Sequence, residues 1–439
     1  MPHSEVPQSM HRRPIGRGGA FGLGGGAVAL GLAIALVVPS AANAADVVSQ
    51  GNGQLINTSL FSTDLLDSIA SLKGATAINT TATGDVTSDT PLDASVLSGI
   101  AAIKAGPTDL FGTNGIIQLG AVGQYAQARD DGSSVAFSGT VTAAPSLVGA
   151  GTTPTGSNLG TPGGDSSAEI KVGTAAILGG TDLVNLDVQI GTLAASAQEL
   201  ADGTQSGKYT LADLNTGVGG TLVQGVTSVL RPAIETLITA AGVAGLTGLT
   251  DPINSDGTVT VSLTDLLAEA GVADVNALPQ DTNLLTYLPA ALVTKLTSGV
   301  NSIITAVQAK VADLGLGGLI LGTALGVAQG IINPVLSGLS TTLAGPLGDA
   351  IDAIAQLDVN HQVTGSDGSF TQTALRVGLG SDGSIAAVNL ANATVGPNAG
   401  IAAVPIANQS SLTIAGLLAI LVLGVGIVVA RRRRVTSAA

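Results

Sequence analysis

The sequence predicts an α+β protein: a largely antiparallel β ectodomain with an amphipathic helical hairpin inserted into it, plus one C-terminal transmembrane helix. Three patterns carry that reading. Two stretches alternate apolar and polar residues with period two, as half-buried strands do. Between residues 285 and 357 apolar side chains recur every three or four positions, the period of a helix with one dry face. Residues 412–430 run for 19 positions without a charge, which at about 1.5 Å per residue approaches a ~30 Å hydrocarbon core.

Residues 1–44 read as a secretion signal. Arg12, Arg13 and Arg17 precede an apolar run over residues 20–38, and Ala42-Asn43-Ala44 supplies a small-x-small cleavage pattern in which Ala42 and Ala44 are the recognised residues. A first transmembrane helix is the alternative, but this run is rich in glycine, ends at Pro39 and leads into polar sequence. Pro14 and Gly16 fit a twin-arginine signal poorly, so ordinary Sec export is expected.

Residues 45–212 form the β-rich part. Val135, Phe137 and Val141 alternate with Ser134, Ser138, Thr140 and Thr142, while Val184, Leu186, Val188 and Ile190 alternate with Asn185, Asp187 and Gln189. Each stretch is expected to have one dry and one wet face. Residues 116–128 and 133–142 flank Asp130-Asp131-Gly132, the composition of a β-hairpin turn. Residues 145–167 are a Gly/Thr/Pro/Ser loop, expected to be exposed and open to proteases.

Residues 213–356 are mainly helical, with a short strand near 258–263 built on Val259, Val261 and Leu263. Leu285, Leu288, Leu292, Leu296, Val300, Ile303, Val307, Val311 and Leu314 define a helix of about eight turns, with Pro289 near its start where proline is tolerated. A second stripe, Leu336, Leu339, Leu343, Leu347, Ile351, Ile354 and Leu357, predicts a partner helix broken at Gly345-Pro346. A shorter helix over 222–241 carries Pro232 near its middle. Strands return over 357–394, with Val359, His361 and Val363, then Leu375, Val377 and Leu379.

Residues 395–411 read as a linker, 412–430 as the membrane span and 431–439 as a cytoplasmic tail. Arg431, Arg432, Arg433 and Arg434 form a stop-transfer cluster that the positive-inside rule places in the cytoplasm, leaving the ectodomain outside. Val404-Pro405-Ile406-Ala407-Asn408 stands where a sortase motif would stand but lacks its threonine and glycine. Anchoring in the plasma membrane is therefore expected, not covalent attachment to the wall.

Composition narrows the chemistry. With no cysteine, disulfides, thiolate metal sites and iron–sulfur clusters are excluded. Without leader and tail the chain keeps 9 basic residues against 29 acidic ones, a net charge of about −20. Such a surface repels phosphate backbones, so no nucleic-acid partner is expected. Walker and dinucleotide fingerprints are absent from strand-to-helix junctions, so neither nucleotide nor cofactor is expected. The remaining partners to expect are the membrane, through the C-terminal helix, and a cell-surface or wall component.

His361 is the one histidine beyond the leader, and its alternation with Val359 and Val363 predicts a partly buried structural role. In a Ser-His-Asp hydrolase it would be the general base, yet no Gly-x-Ser-x-Gly elbow accompanies it. A single histidine without cysteine cannot complete a usual zinc set. Asp-Gly pairs at Asp131, Asp202, Asp256, Asp367 and Asp382 lack the ligand spacing of a calcium loop and fit hairpin turns better. A glycosidase carboxylate pair is not excluded by sequence, but aromatic platforms for sugar are few. No catalytic, cofactor-binding or metal residue is expected.

Gly318, Gly322, Gly326 and Gly330 repeat every four residues within an uncharged stretch over 314–348. One reading is a glycine face for oligomerisation or membrane insertion. The preferred one is a tight turn region joining two soluble helices, because a second span would put the arginine tail outside.

Val48-Ser49-Gln50-Gly51 with Gly53, Pro91-Leu92-Asp93-Ala94, and above all Leu119-Gly120-Ala121-Val122, Gln124-Tyr125-Ala126-Gln127-Ala128 and Asp131-Gly132-Ser133-Ser134 resemble choice-of-anchor G family proteins. The resemblance covers about residues 46–393 and implies an exported actinobacterial surface protein whose ectodomain is shared among different anchoring devices. It implies no catalytic residue. The expectation is thus a membrane-anchored surface protein with a structural, adhesive or interaction role and no enzymatic activity. A membrane-active or oligomer-forming protein using the helical hairpin and glycine repeat is the second reading, and a surface hydrolase the third.

Overall fold

The computed structural model describes residues 47–60, 70–81, 83–90, 104–105, 108–111, 116–118, 123–139 and 168–399. The expected leader with Ala42 and Ala44, the 145–167 loop, most of the linker, the 412–430 span and Arg431 to Arg434 lie outside the described residues.

Among its described residues the N-terminal part is mostly strand, with a 3₁₀ turn at Ala70–Lys73: β1 (Ser49–Asn57), β2 (Ala75–Asn79), β3 (Val86–Asp89), β4 (Lys104–Ala105), β5 (Thr108–Asp109), β6 (Ile117–Gln118), β7 (Gly123–Ala128), β8 (Ser134–Gly139) and β9 (Ala168–Gly173). A short helix α1 (Thr174–Leu178) precedes β10 (Asn185–Ile190), β11 (Thr192–Glu199), β12 (Gln205–Ala212) and β13 (Asn215–Gly219). The helical part follows: α2 (Thr221–Val243), β14 (Val259–Ser262), α3 (Leu263–Glu269), β15 (Thr282–Asn283), α4 (Leu288–Leu314), α5 (Leu319–Leu339) and α6 (Gly345–Asp352). Three long strands, β16 (Ala355–Thr364), β17 (Phe370–Leu379) and β18 (Ala386–Val395), complete it. The protein is α+β, and its named strands pair antiparallel throughout.

These strands form three larger sheets, in the orders β15-β16-β17-β18-β1-β2, β12-β11-β8-β7-β3 and β14-β13-β10-β9-β6. The first two lie face to face: β1 packs on β7 and β8, β18 on β8 and β11, and β17 on β11 and β12. Small residues permit this close approach. A Cβ added to Gly53 would lie 2.1 Å from the Phe137 carbonyl oxygen and 2.5 Å from that of Tyr125. Ala75, Ala77, Ala126 and Ala128 form a separate buried cluster of the smallest side chains.

The expected wet face of the 134–139 strand is a correction. Ser134 and Ser138 are as buried as Phe137, because the facing sheet covers the polar side of β8. The hydroxyls are satisfied within the interface: Ser138 donates to the Asn392 carbonyl at 2.9 Å, and Ser134 accepts from Asn398 Nδ2 at 2.8 Å. Thr371 and Thr394 pair at 2.9 Å, and Thr373 donates to Asn392 Oδ1 at 2.7 Å. By contrast, β10 matches its alternation, with Leu186, Val188 and Ile190 buried and Asn185 and Gln189 exposed.

A crease crosses the first sheet. Asn360 and Ala391 adopt left-handed backbone, φ 58° and 55°, and the register passes over Asn360, Ala374, Ala391 and Leu55 in turn. Non-glycine residues rarely take this conformation, so it persists only where neighbours fix it. Side chains from both sheets do so here. Gln124 accepts the Leu55 N–H, Asn392 Nδ2 donates to the Gln54 carbonyl at 3.2 Å, and Gln372 donates to Asn360 Oδ1 at 3.3 Å.

The hairpin around Asp131 forms between β7 and β8 as expected, but residues 116–118 do not belong to it. They pair with β9 in the third sheet. Leu263 starts α3 and does not end the strand, because Ser262 and Asp265 form a reciprocal capping box. The 285–314 stripe is α4, entered through a 3₁₀ turn, Leu284–Tyr287, with Pro289 in its first turn. Its partner begins earlier than the second stripe indicated. α5 starts at Leu319, passes through a π turn at Ser340–Ala344 and continues as α6, whereas Leu357 lies in β16. The glycine repeat is a further correction: Gly322, Gly326 and Gly330 lie inside the continuous helix α5, and only Gly318 belongs to a turn.

α2, α4 and α5 pack together, and α4 also touches β14. Leu230, Ile234 and Leu237 of α2 and Leu292, Leu296 and Val300 of α4 share one buried cluster with Leu186, Val218 and Val261 of the third sheet and Leu357, Val377 and Leu390 of the first. The two ends of the described fold lie side by side, since the Ala399 N–H donates to the Val47 carbonyl at 3.1 Å and the Gly396 N–H to that of Gln50 at 3.0 Å.

Candidate functional site

The largest departure from ordinary burial is on α5. Leu321, Leu325, Ala328, Ile332 and Leu339 face inward, as a helix with one buried side requires. The opposite side is also apolar: Ile320 is 84% exposed, Val327 63% and Ile331 43%, with Leu319 beside them at 68%. Gly326 and Gly330 lie between these side chains, and a Cβ at either would meet nothing within 4 Å. Each glycine lowers helix stability by about 1 kcal/mol relative to alanine, and no contact among the described residues requires either. No charged residue occurs over 314–348. By length and composition α2, residues 284–314 and residues 319–352 are each apolar enough to cross a membrane.

A second feature is an open cleft of about 670 Å³ between α1, the start of α2 and α6. Leu178, Leu183, Leu222 and Pro346 give it apolar walls, Thr174 and Asp349 its polar groups. Thr174 is already engaged, accepting the Leu183 N–H at 2.6 Å and donating to the Thr181 carbonyl at 3.1 Å. Asp349 is left as the cleft's carboxylate.

Several titratable side chains are engaged in structural contacts. His361 Nδ1 is hydrogen-bonded to Asp281, and the buried Asp358 beside them pairs with Arg376 at 3.5 Å. Burial pushes the Asp358 carboxyl above the usual carboxylate range, an effect that Arg376 partly offsets. Burial is also the first cause raising Asp187, next to the Glu169 carboxylate, while Lys171 pairs with Glu169 at 2.8 Å. Glu199, at the end of β11, is raised by burial too. It accepts from Gln205 Nε2 at 2.8 Å and from the Asn398 N–H at 3.3 Å, and so holds the end of the fold that leads to the 400–439 segment.

The Asp-Gly carboxylates close their own turns. Asp131, Asp202, Asp256 and Asp367 each accept the N–H two residues on, from Ser133, Thr204, Thr258 and Ser369, at 2.8–3.0 Å. The hydroxyls of Ser133 and Thr258 first, and the N–H groups of Thr204 and Ser369 first, hold these carboxyls below their ordinary range, with the other bond of each turn adding to it. Asp382 adopts φ 54° and accepts from Gln356 Nε2 at 3.2 Å. Among the described residues no group of three or more His, Cys, Asp or Glu stands close enough to hold a metal ion.

None of the residues expected from sequence to act in export or anchoring, Ala42, Ala44 and Arg431 to Arg434, lies within the described structure. Sequence reasoning missed Glu199, and it raised the face of α5 only as its less favoured reading, a glycine face for oligomerisation or membrane insertion. The signal for the second was present: Ile320, Val327 and Ile331 lie on one side of a helical wheel, hidden by reading the glycines as turn formers.

The architecture defines an α+β class in which a tight β-sandwich and a third sheet share their core with a helical bundle. The chain belongs to the family described as a domain of unknown function (DUF8394), whose sequence profile matches residues 51–276 and 257–396. No curated protein and no solved structure matches it.

Proposed function

We propose that this chain is an exported, membrane-anchored bacterial surface protein that acts by structural or adhesive contact and not by catalysis. The observation that carries this is the pairing of the two ends of the fold, Ala399 with Val47 at 3.1 Å. The described fold stands in sequence between a leader-like segment and a 412–430 stretch read as a membrane span, followed by Arg431 to Arg434. The likeness to choice-of-anchor G proteins supports the same arrangement. A contact role is supported by where the polar side chains are used: serines, threonines and glutamines hold the facing sheets together, and aspartates close turns.

Protease protection on intact cells tests the proposal, with one tag inside residues 145–167 and another after Arg434. The expected result is a shaved loop tag and a protected tail tag in the membrane fraction. A loop tag that resists protease until the cells are lysed overturns it.

A further inference from the structure

We infer that the cleft between α1, the start of α2 and α6 binds small molecules made of an apolar body and a cationic amino group. Its volume of about 670 Å³ is that of a site for a drug-sized ligand, and its surface is mostly apolar, as such sites are. Leu178 and Leu183 stand in its walls 59% and 47% exposed, with Leu222 and Pro346 beside them, so an apolar body seated there takes large side chains out of water. Gly179 follows Leu178 with φ 76° and lines the cleft with no side chain to fill it.

Charge selects the head group. The Thr174 hydroxyl is spent on the Thr181 carbonyl and the Leu183 N–H, which leaves the Asp349 carboxylate, without an ion-pair partner among the described residues. No lysine or arginine lines the cleft, and Lys171, Arg231, Lys295, Lys310 and Arg376 are each paired with another acid. The positive charge for Asp349 therefore comes from the ligand. The chain without its leader and tail carries about −20, a field that concentrates cations and repels carboxylates, phosphates, anionic lipid and a second copy of the chain. Because Asp349 is exposed, its preference for a cationic over a neutral head group is modest, up to about fivefold. This inference goes beyond the proposed surface role and does not rest on it.

Adamantane methylamine, adamantane methanol and adamantane carboxylate share one apolar cage and differ in the charge of the head group. Ligand-observed NMR titrations of the full-length chain in phosphatidylcholine nanodiscs, with the signal of empty discs subtracted, compare their affinities. The expected order is amine, then alcohol, then carboxylate, with the amine about two- to fivefold tighter than the alcohol. Asp349→Asn is expected to bring the amine to the affinity of the alcohol while leaving the thermal midpoint unchanged, since Asp349 is exposed. Leu178→Ser with Leu183→Ser, both at exposed positions, is expected to weaken amine and alcohol alike. No binding above empty discs overturns the inference, as does equal binding of amine and alcohol to the unaltered chain. So does an amine preference that survives Asp349→Asn, or binding that the double serine change leaves intact, since either places the probe elsewhere. The tail-tag result is independent of these readouts, so the two proposals fail separately.

Discussion

The side-chain carbonyl of Gln124 accepts the Leu55 backbone N–H at 2.7 Å, across the two facing sheets. The same side chain donates to the carbonyls of Ser71 at 2.9 Å and Thr90 at 2.8 Å. Gln124 is wholly buried and uses its donors and acceptor at the point where Leu55 leaves the ladder at the crease. Leucine fills similar volume but strands the Leu55 N–H and the Thr90 carbonyl, each costing about 1–3 kcal/mol if left unpaired, while the Ser71 carbonyl keeps the Gly74 N–H at 3.2 Å. Gln124→Leu is expected to destabilise the fold by at least about 2 kcal/mol, read as a lower urea midpoint by circular dichroism. A midpoint equal to that of the unaltered chain would refute the role given to Gln124.

Glycine at two positions predicts opposite signs for one chemical change. A Cβ at Gly53 runs into the carbonyl oxygens of Phe137 and Tyr125, backbone atoms that cannot rotate away. Gly53→Ala must separate the sheets, and overpacking of this kind costs about 1–3 kcal/mol or more. In α5 the Cβ of Gly326→Ala enters open space and should stabilise the folded chain by up to about 1 kcal/mol. Thermal unfolding of the two variants in parallel decides it. Equal shifts in the same direction would show that sheet spacing is not set by Gly53.

Much of the fold was legible because each element announced its period. The Leu288, Leu292, Leu296, Val300 stripe of α4 and the Leu186, Val188, Ile190 alternation of β10 have one dry side, and both lie where sequence placed them. Ser134 and Ser138 misled for a physical reason. Polarity marks a wet face only if nothing covers it, and here a second sheet does so with glycine and hydrogen-bonding residues. The stretches that resemble an anchored surface family, Gly51 with Gly53, Gln124 to Ala128 and Asp131 to Ser134, turn out to be this interface and its turn. They specify how two sheets pack and leave function unmarked. The glycines of α5 were read as a turn because a second span would put the arginine tail outside and because glycine lowers helix propensity, whereas packing of α5 against α2 and α4 overrides a cost of about 1 kcal/mol per glycine.

Glu199 makes the stability of the C-terminal end depend on pH. Burial raises its carboxyl above the ordinary value, so the folded chain holds this proton more tightly than the unfolded one. Stability from neutral Glu199 is present in full below the unfolded value of about 4.3 and is lost as pH rises through the raised folded value. Glu199→Gln removes that titration and is expected to flatten the fall in thermal midpoint above about pH 4. Parallel slopes in the two chains from pH 4 to 7 would count against it.

Asp131 predicts the opposite limb. Its carboxylate accepts the Ser133 N–H at 2.8 Å and is held below the ordinary aspartate range, first by the Ser133 hydroxyl. A group with a lowered folded value stabilises above its unfolded value and loses that contribution as pH falls through the folded one. The turn it closes sets the β7–β8 register, with Ala128 opposite Ser134 and Tyr125 opposite Phe137. Asp131→Asn keeps an acceptor for the Ser133 N–H, so at neutral pH it should cost less than Asp131→Ala, which removes the acceptor and should cost about 1 kcal/mol. Below about pH 4 the carboxyl of the unfolded wild-type chain takes up a proton that the folded one resists, while asparagine does not change, so the gap between wild type and Asp131→Asn should narrow with acid. Urea midpoints of the three chains at pH 7 and pH 3 test both statements, and a gap that widens on acidification would contradict the charge-assisted turn.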